Sequence, residues 1–235
     1  MTAETVRIAP LRERADRDEA ADLVTEYIPH VERQRIFTDD DSNEHQIVRR
    51  VLAHYTGTEL PKDFWLGAWQ DGELVGALHA AAHVGQASDV GQGIASGNPQ
   101  AGSPGWLDQY VRRCVIVEEM AVLPDHQGRG IGARLLARLH GVAQADRSRE
   151  VRHIIAHACS PAAIATFRGA GYTIGQPSTP VPPTYAEGLQ TAWDPAYDVI
   201  GGAWAYRHIG ERPHDGLSFF QRGASRLTTR VEGQR

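Results

Sequence analysis

The residues best suited to chemistry are three alternating glycines, Gly128, Gly130 and Gly132. Before them, residues 114–122 are β-branched and apolar on both alternating faces, which is typical of a strand buried within a sheet. Glycines where a strand ends and a helix begins leave the first N–H groups of the helix open, at the positive end of its dipole. We therefore predict an anion site here, with phosphate as the expected ligand. The helix itself is indicated by apolar residues at helical spacing: Ile131, Leu135, Leu136, Leu139 and Val142.

The glycine spacing fits more than one nucleotide-binding motif. Gly128-x-Gly130-x-x-Ala133 matches a loose dinucleotide fingerprint, but that motif also needs an acidic residue at the end of the next strand, roughly 20 residues on. That predicted strand runs into His157-Ala-Cys-Ser160, so the carboxylate for a ribose is missing. A triphosphate-binding loop is excluded because no Lys-Ser/Thr pair follows the glycines.

Two adjacent glutamates, Glu118 and Glu119, lie in the otherwise apolar strand. A buried, unpaired carboxylate is costly, so each needs a partner or a chemical task. In a regular strand the two side chains point to opposite faces, which excludes a cooperating dyad. Burial raises a carboxyl pKa and suits the group to accept a proton from an ammonium, directly or through water. A structural ion pair with an arginine is the more common role for either residue taken singly.

Histidines raise the possibility of a metal site. His79 and His83, and likewise His153 and His157, have the four-residue spacing that binds zinc from one face of a helix. Both pairs fall in predicted strands, where four residues span about 13 Å, so we expect no metal. His157, near a strand end beside the predicted anion site, remains a candidate for proton relay.

Composition is that of an ordinary globular protein. The chain has 235 residues, enough for one domain that buries about 70% of its unfolded surface. Its formal charge of -5 argues against a nucleic-acid or anionic-membrane binder and is compatible with a cationic substrate. Two cysteines are too few for a disulfide framework, and no signal peptide or membrane span is evident, which favours the cytoplasm.

Periodicity and turn signals predict an alternation of strands and helices, in which the Asp71-Gly72 turn of a hairpin is the clearest signal. Asp16 is the expected cap of the first helix, and Tyr27 and Val51 are expected on the inner faces of the first two helices. The predicted strands are 5–8, 64–70, 73–84, 114–122, 151–158, 172–174 and 203–209, and the predicted helices are 16–27, 42–55, 131–142 and 161–170.

Two long connections interrupt this order. Residues 85–105 are rich in Gly, Ser, Gln and Ala, which predicts a mobile excursion, with Trp106 at its edge able to reach a substrate. Residues 175–196 are rich in proline and aromatic residues, so this loop can present Tyr185 and Trp193 as walls of a substrate pocket. A surface insertion without a binding role is the alternative for each.

The segment from Met120 to Gly132, with strand, proline turn and Gln127-Gly-Arg-Gly-Ile-Gly132 in this order, resembles the acyl-CoA signature of the GNAT acyltransferase superfamily, Gln/Arg-x-x-Gly-x-Gly/Ala. Residues 160–172 resemble its second hallmark, Asn-x-x-Ala-x-x-x-Tyr-x-x-x-Gly-Phe, with Ser160 for the asparagine and Phe167 for the tyrosine. In many relatives that tyrosine protonates the departing CoA thiolate, which a phenyl ring cannot do. Other candidate donors are Cys159, Ser160, Tyr110, Tyr185 and Tyr197.

The resemblance implies an α/β fold of the α+β type, in which a central mixed, mostly antiparallel sheet is flanked by helices. The sheet should splay between the strands that end at Val122 and near Ala158. One acyltransferase domain is expected over residues 1–209, with insertions at about 85–112 and 175–196. Residues 210–235 form a C-terminal extension that could be a packed segment, a homodimer arm or a frayed tail.

Acetyl-CoA is the implied co-substrate and a primary amine of a small molecule or peptide the implied acceptor, with direct attack on the thioester. Glu118 is preferred over Glu119 as base because related enzymes place a carboxylate on that parity of the strand. Alternatives are another acyl-CoA, with malonyl-type transfer or decarboxylation, a non-catalytic acyl-CoA sensor, and modification of tRNA or ribosomal protein. Implied CoA-binding residues are Met120, Ala121, Val122, Gln127, Gly128, Arg129, Gly130, Ile131, Gly132, Ala133, Ser160 and Phe167.

Overall fold

The structure is a computed structural model that describes residues 5–28, 44–59, 61, 63–82, 108, 111–146, 151–175, 183–186, 202–209, 218–222 and 224–230. Its helices are α1 (Arg14–Tyr27), α2 (Glu44–Thr56), α3 (Ile131–Ala145) and α4 (Pro161–Gly169), with a 3₁₀ turn at Pro124–His126. Its strands are β1 (Arg7–Pro10), β2 (Phe64–Gln70), β3 (Glu73–Ala82), β4 (Cys114–Val122), β5 (His153–Ala158), β6 (Thr173–Ile174), β7 (Pro183–Ala186), β8 (Ala203–His208), β9 (Ser218–Arg222) and β10 (Ala224–Arg230).

Seven strands form the main sheet in the order β1-β2-β3-β4-β5-β8-β6. Strands β4 and β5 are parallel, and the other neighbours are antiparallel. The predicted hairpin is confirmed: β2 and β3 are joined by Asp71 and Gly72, whose φ angles are both positive, 52° and 89°. The predicted mixed, mostly antiparallel sheet with flanking helices is therefore confirmed.

Helices cover both faces of this sheet. On one face α3 buries Leu135, Leu136 and Leu139 against the sheet. On the other face α1 buries Leu23 and Val24. Fully burying a leucine side chain contributes about 1.5–3 kcal/mol, so the α3 leucines alone anchor that helix firmly. Anchoring α3 also fixes the position of its N-terminus, where the glycines lie.

Two residues predicted from periodicity to face inward are exposed. Tyr27, the last residue of α1, is 37% exposed, and Val51 in α2 is 61% exposed. Arg49, two residues before Val51, makes the inward contact through an ion pair with Asp63. Two residues span about 200° of a helix, so pointing Arg49 inward turns Val51 to the outside. Helix α1 also begins earlier than predicted: it starts at Arg14, so Asp16 lies in its first turn, and Glu13 at the N-cap position makes no side-chain capping hydrogen bond.

A second, three-stranded sheet has the order β7-β10-β9. Strand β10 runs parallel to β7, with Thr229 opposite Tyr185, and antiparallel to β9. The sequence analysis expected an irregular loop at 175–196 and assigned no strand to 210–235, so these pairings correct it. Hydrogen bonds between β7 and β10 join segments that are far apart in the chain, and local periodicity carries no record of such pairing. Among the described residues, no helix is long and apolar enough to cross a membrane.

Two histidines are buried in this fold with depressed pKa values. Burial, followed by the nearby His208, lowers the pKa of His153 to about 3. Burial, followed by the Arg207 charge, lowers the pKa of His140 to about 4. His140 Nε2 is hydrogen-bonded to the Tyr172 hydroxyl at 3.0 Å, so its neutral form has a partner. Both rings are neutral in the folded chain at neutral pH.

Acid should therefore destabilise the fold. The unfolded chain binds the extra protons below about pH 6.5, so stability falls as the pH drops from there towards the folded pKa values. Each group contributes up to ~1.4 kcal/mol per pH unit. Urea unfolding at several pH values should show a shallower acid loss for His153→Leu than for the wild type. His54→Gln, at an exposed position, is the control; equal slopes in all three proteins would contradict the assignment.

Candidate active site

Strands β4 and β5 open a wedge in the middle of the sheet. Their paired residues run from Cys114 opposite His153 to Val117 opposite Ala156. Beyond that point β4 continues to Val122, paired on its other side with β3. Residues 118–122 thus lack a β5 partner, and their main-chain groups on that side lie outside the strand ladder. The sequence placed a splay between these two strands, and the structure confirms it.

Strand β4 is irregular at the residue where the wedge opens. Glu119 lies opposite His79 and Val117 lies opposite Ala80, so Glu118 is an extra residue, a β-bulge. The alternation of faces changes there: Val117 packs in the core on the α3 side, whereas Ala121 packs on the α1 side. The prediction that Glu118 and Glu119 point to opposite faces assumed a regular strand. The bulge shows that this assumption is wrong.

The loop between β4 and α3 provides open space in front of the helix. Gly128 and Gly130 have φ angles of +72° and +76°, a region that favours glycine. A Cβ atom added at either position would meet no described atom within 4 Å. The backbone N–H of Arg134 is bonded to the carbonyl of Gly130, so the N–H groups of residues 131–133 precede the first bond of the helix. This cradle fits the anion predicted from sequence.

Gly132 has a different role from the other two glycines. An added Cβ would lie 3.0 Å from Thr166 Cγ2 in α4 and 3.7 Å from Met120 Cε in β4. The missing side chain therefore allows α3 and α4 to pack closely. Ile131, between the loop glycines and this contact, is only 2% exposed, so its side chain belongs to the core. Any ligand contact by Ile131 would have to come from its backbone.

Gln127 stabilises the turn in front of the glycines by two hydrogen bonds. Its side-chain amide donates to the Val122 carbonyl at 2.9 Å, and its backbone N–H donates to the Pro124 carbonyl at 3.1 Å. The carbonyl of Val122, one of the residues that the resemblance implies for CoA binding, already accepts one bond in this way. Arg129 lies in the same loop and is exposed. Its guanidinium is therefore available to an anion at the cradle.

The far side of the wedge is formed by the end of β5 and the start of α4. Ser160 caps α4, since its hydroxyl oxygen accepts from the Ala163 N–H at 3.1 Å. Phe167 is 4% exposed and packs edge-on against Tyr172, with ring centroids 5.0 Å apart. The ring at the position of the family tyrosine is thus part of the core.

Cys159 and His157 form a neutral pair beside the wedge. Cys159 Sγ lies 3.3 Å from His157 Nδ1. Burial raises the pKa of the Cys159 thiol and lowers the pKa of His157. At neutral pH Cys159 is therefore a thiol rather than a thiolate, and the residue itself is exposed. Such a group can donate a proton.

A chain of four charged groups runs from α2 to β4 on the other side of the bulge. Arg49 Nη1 donates to Asp63 Oδ1 at 2.8 Å. The second Asp63 oxygen lies 3.3 Å from His79 Nε2, and His79 Nδ1 lies 2.8 Å from Glu119 Oε2. The His79 ring stacks on Trp65, with centroids 3.9 Å apart and planes 14° from parallel. Positive and negative groups therefore alternate along the chain.

The His79 ring is protonated on both nitrogens, and so positively charged, at neutral pH. Burial by itself lowers the pKa of His79, but hydrogen bonds to Asp63 and Glu119 and the attraction of both carboxylates raise it to about 9. The imidazolium then donates from both ring nitrogens, one to each carboxylate. The spacing of His79 and His83 gives no signal for this role, because the two carboxylate partners of His79 lie in other segments of the chain.

The sequence-predicted site residues are brought together only in part. Glu118, Glu119 and residues 120–133 lie along one side of the wedge, and His157, Ser160 and Phe167 lie on the other. Trp106 and Trp193 fall outside the described residues, and for Tyr185 the backbone strand alone is described. Among the described residues, no group of three or more His, Cys, Asp or Glu side chains is placed to hold a metal ion.

Comparison with known proteins identifies the family. The model of the Acetyltransferase (GNAT) family matches residues 28–172, more than half of the chain. This protein therefore belongs to the GNAT acetyltransferase family. A search of curated proteins found no match.

Several solved structures are similar to this chain at low identity. An acetyltransferase of the GNAT family from Streptococcus pneumoniae is 15% identical, with a TM-score of 0.49 over 88% of this chain and 100% of that chain. An aminoglycoside 6'-N-acetyltransferase complexed with coenzyme A is 15% identical, with a TM-score of 0.48 over 88% and 99%. The putative acetyltransferase yncA from Salmonella typhimurium, with its cofactor acetyl-CoA, is 17% identical, with a TM-score of 0.47 over 90% and 96%.

The loop conformation predicts opposite effects for two glycine-to-alanine changes. Gly130→Ala places a Cβ at a φ of +76° and should lower the free energy of unfolding by about 1–2 kcal/mol. Gly141→Ala, inside α3 with no atom within 4 Å of the new Cβ, should raise it by roughly 0.5–1 kcal/mol. Denaturant titrations of both variants measure this. Equal shifts of the same sign would contradict the left-handed conformation at Gly130.

Proposed function

We propose that the protein transfers the acetyl group of acetyl-CoA to a primary amine of a small molecule or peptide. Family membership supports acyl transfer in general. The observation that carries the proposal is the open cradle at Gly128 and Gly130, placed where β4 and β5 separate. The unpaired side of residues 118–122 leads from the point of separation towards this cradle, and an acyl-CoA needs both, the cradle for its pyrophosphate and the gap for its pantetheine arm.

The residues present fit acetyl-CoA. Backbone N–H groups of residues 128–133 would bind the pyrophosphate at the positive end of the α3 dipole, with Arg129 beside them. The β4 backbone at residues 120–122 would pair with the pantetheine amides, as an added strand does. Acetyl-CoA supplies the activated acyl carbon when bound. We propose that residues 1–209 form the one acyltransferase domain that does this.

Glu118 is the proposed general base. It is the exposed residue at the bulge, and it lies one position beyond the last β4–β5 pair. Its carboxylate would take a proton from the acceptor ammonium, directly or through water, so that the neutral amine attacks the thioester carbonyl. A backbone N–H near Val122 would stabilise the negative charge on that carbonyl oxygen. His157, which is neutral at neutral pH, is the second candidate for moving this proton.

Cys159 is the proposed proton donor to the leaving thiolate. The family tyrosine is replaced by Phe167, whose ring is buried in the core. Cys159 follows β5 directly and is exposed, while partial desolvation of its sulfur raises the pKa of the thiol, so the group is protonated at neutral pH. The absence of a phenol at residue 167 also favours a second candidate function on a malonyl-type acyl group: transfer of that group would release free CoA, whereas its decarboxylation would release CO₂ and leave the shortened acyl-CoA.

The first experiment measures CoA binding and acetyl transfer separately. Wild-type protein should bind CoA in calorimetry, and Gly130→Ala should weaken binding because its methyl group enters the cradle. Gly141→Ala is the matched control and should leave affinity unchanged. An amine screen with thiol detection should give at least one acceptor, and Glu118→Gln should then lower kcat by about 10²–10⁴ without loss of CoA binding. No CoA binding by the wild type would contradict the proposal, and CO₂ release from malonyl-CoA without transfer would favour the second candidate.

Replacement of Cys159 tests the proton donor. Cys159→Ala should lower kcat with little change in CoA affinity, since the thiol would donate a proton and its hydrogen bonds go to His157 at the end of β5 rather than to the glycine loop. Cys159→Ser keeps a hydroxyl at the same place and should retain part of the rate. Single-turnover and steady-state rates with the acceptor found above measure both variants. Full activity of Cys159→Ala would show that the thiolate leaves without this residue.

A further inference from the structure

The two adjacent carboxylates of β4 have different surroundings. The Glu119 side chain is 11% exposed and one of its oxygens accepts from His79 at 2.8 Å. Glu118 is the exposed, extra residue of the bulge. Glu119 is therefore suited to hold the strand in place, whereas the exposed position of Glu118 can be reached by an acceptor.

His79 is buried and has a described contact on each side of its ring. Its side chain is 4% exposed, it has a carboxylate on each ring nitrogen, and its ring stacks on Trp65. Arg49 fixes the far carboxylate, Asp63, from α2 and also donates to the Pro61 carbonyl at 2.7 Å. Among the described residues, the charged groups in contact with His79 are Asp63 and Glu119, and Arg49 acts on it through Asp63. The row of charged groups is thus fixed at one end to α2, through Arg49, and at the other end to β4, through Glu119.

We propose that His79 is a positioning residue: bridged between Asp63 and Glu119, it fixes the β-bulge of β4 and thereby the direction in which Glu118 meets the acceptor amine. This rests on the proposed acetyl transfer. The bulge lies between the residues paired with His79 and Ala80, so the Glu119–His79 bond closes the irregular segment on one side. Without that bond, the bulge could move to a neighbouring position in β4, and the direction of the Glu118 side chain would change.

A pH effect follows from the same geometry. His79, with a pKa near 9, is protonated at neutral pH and bonds both carboxylates. As the pH rises through about 9 it loses one proton and can donate to only one of them. The hydrogen bond between His79 and Glu119 then weakens. We therefore expect kcat to decline at alkaline pH, although the acceptor amine becomes more reactive. This alkaline decline is a consequence of positioning, since His79 itself is too buried to touch the substrate.

His79→Gln and Asp63→Asn test the proposal with the acceptor identified above. His79→Gln keeps a hydrogen-bonding side chain but removes the charge; kcat should fall roughly 10- to 100-fold, with the KM for acetyl-CoA and CoA affinity unchanged, and the alkaline decline should disappear. Asp63→Asn removes one anionic neighbour, so the pKa of His79 falls and the decline should move to lower pH. His140→Gln, which breaks another buried histidine bond, is the control and should lose stability with no change in the profile.

The outcomes separate the two proposals. If the wild type transfers acetyl groups but His79→Gln keeps both its kcat and the alkaline decline, the positioning role is overturned and the proposed function stands. If wild-type kcat shows no alkaline decline near the pH at which ¹⁵N-labelled His79 titrates, the role is likewise overturned. If the wild type has no acetyl transfer with any amine, the proposed function fails and this inference fails with it. If His79→Gln does not fold, two other results decide whether His79 has the positioning role. They are the shift of the alkaline decline in Asp63→Asn and the presence of that decline in the wild-type pH profile of kcat.

Discussion

Strands β4 and β5 are parallel neighbours that stay paired as far as Val117 and Ala156 and then separate. The candidate site depends on that separation, because it opens main-chain groups of β4 in the middle of a sheet. Helix α3 is anchored by buried leucines, so its N-terminus and the glycine loop are held in a fixed place after β4. A site carried by a strand and a packed helix is better ordered than one carried by loops alone.

The bulge at Glu118 and the buried charges beside it are parts of one arrangement. An irregular strand costs hydrogen bonds, and the alternating charges of Arg49, Asp63, His79 and Glu119 stabilise it from the α1 side of the sheet. Each buried charge has an opposite charge as its neighbour, which offsets the cost of removing it from water. The arrangement thus explains how Glu119 can occur in an otherwise apolar strand.

Local patterns predicted the elements that matter most for the site. The bounds of β4 and β2 agree residue for residue with the sequence analysis, and α3 and α4 begin where it placed them. Strand and helix periods are local properties, so a run of β-branched residues followed by glycines and spaced leucines determines this part of the fold without reference to the rest. The turn at Asp71-Gly72 was likewise predictable, because only a few residues accept its backbone angles.

Other features depend on distant contacts that no local pattern records. Gln70 pairs with Glu73, and a regular hairpin would then place Trp65 opposite Leu78, but a register shift places it opposite His79. A second shift sets the face of Glu119, and one residue of slippage exchanges the two faces of a strand. The sequence by itself determined the strand, the glycine loop and the helix, because these follow from local periods and backbone angles. Only the tertiary structure decided which charges meet at His79, because that depends on register and packing across four separate segments.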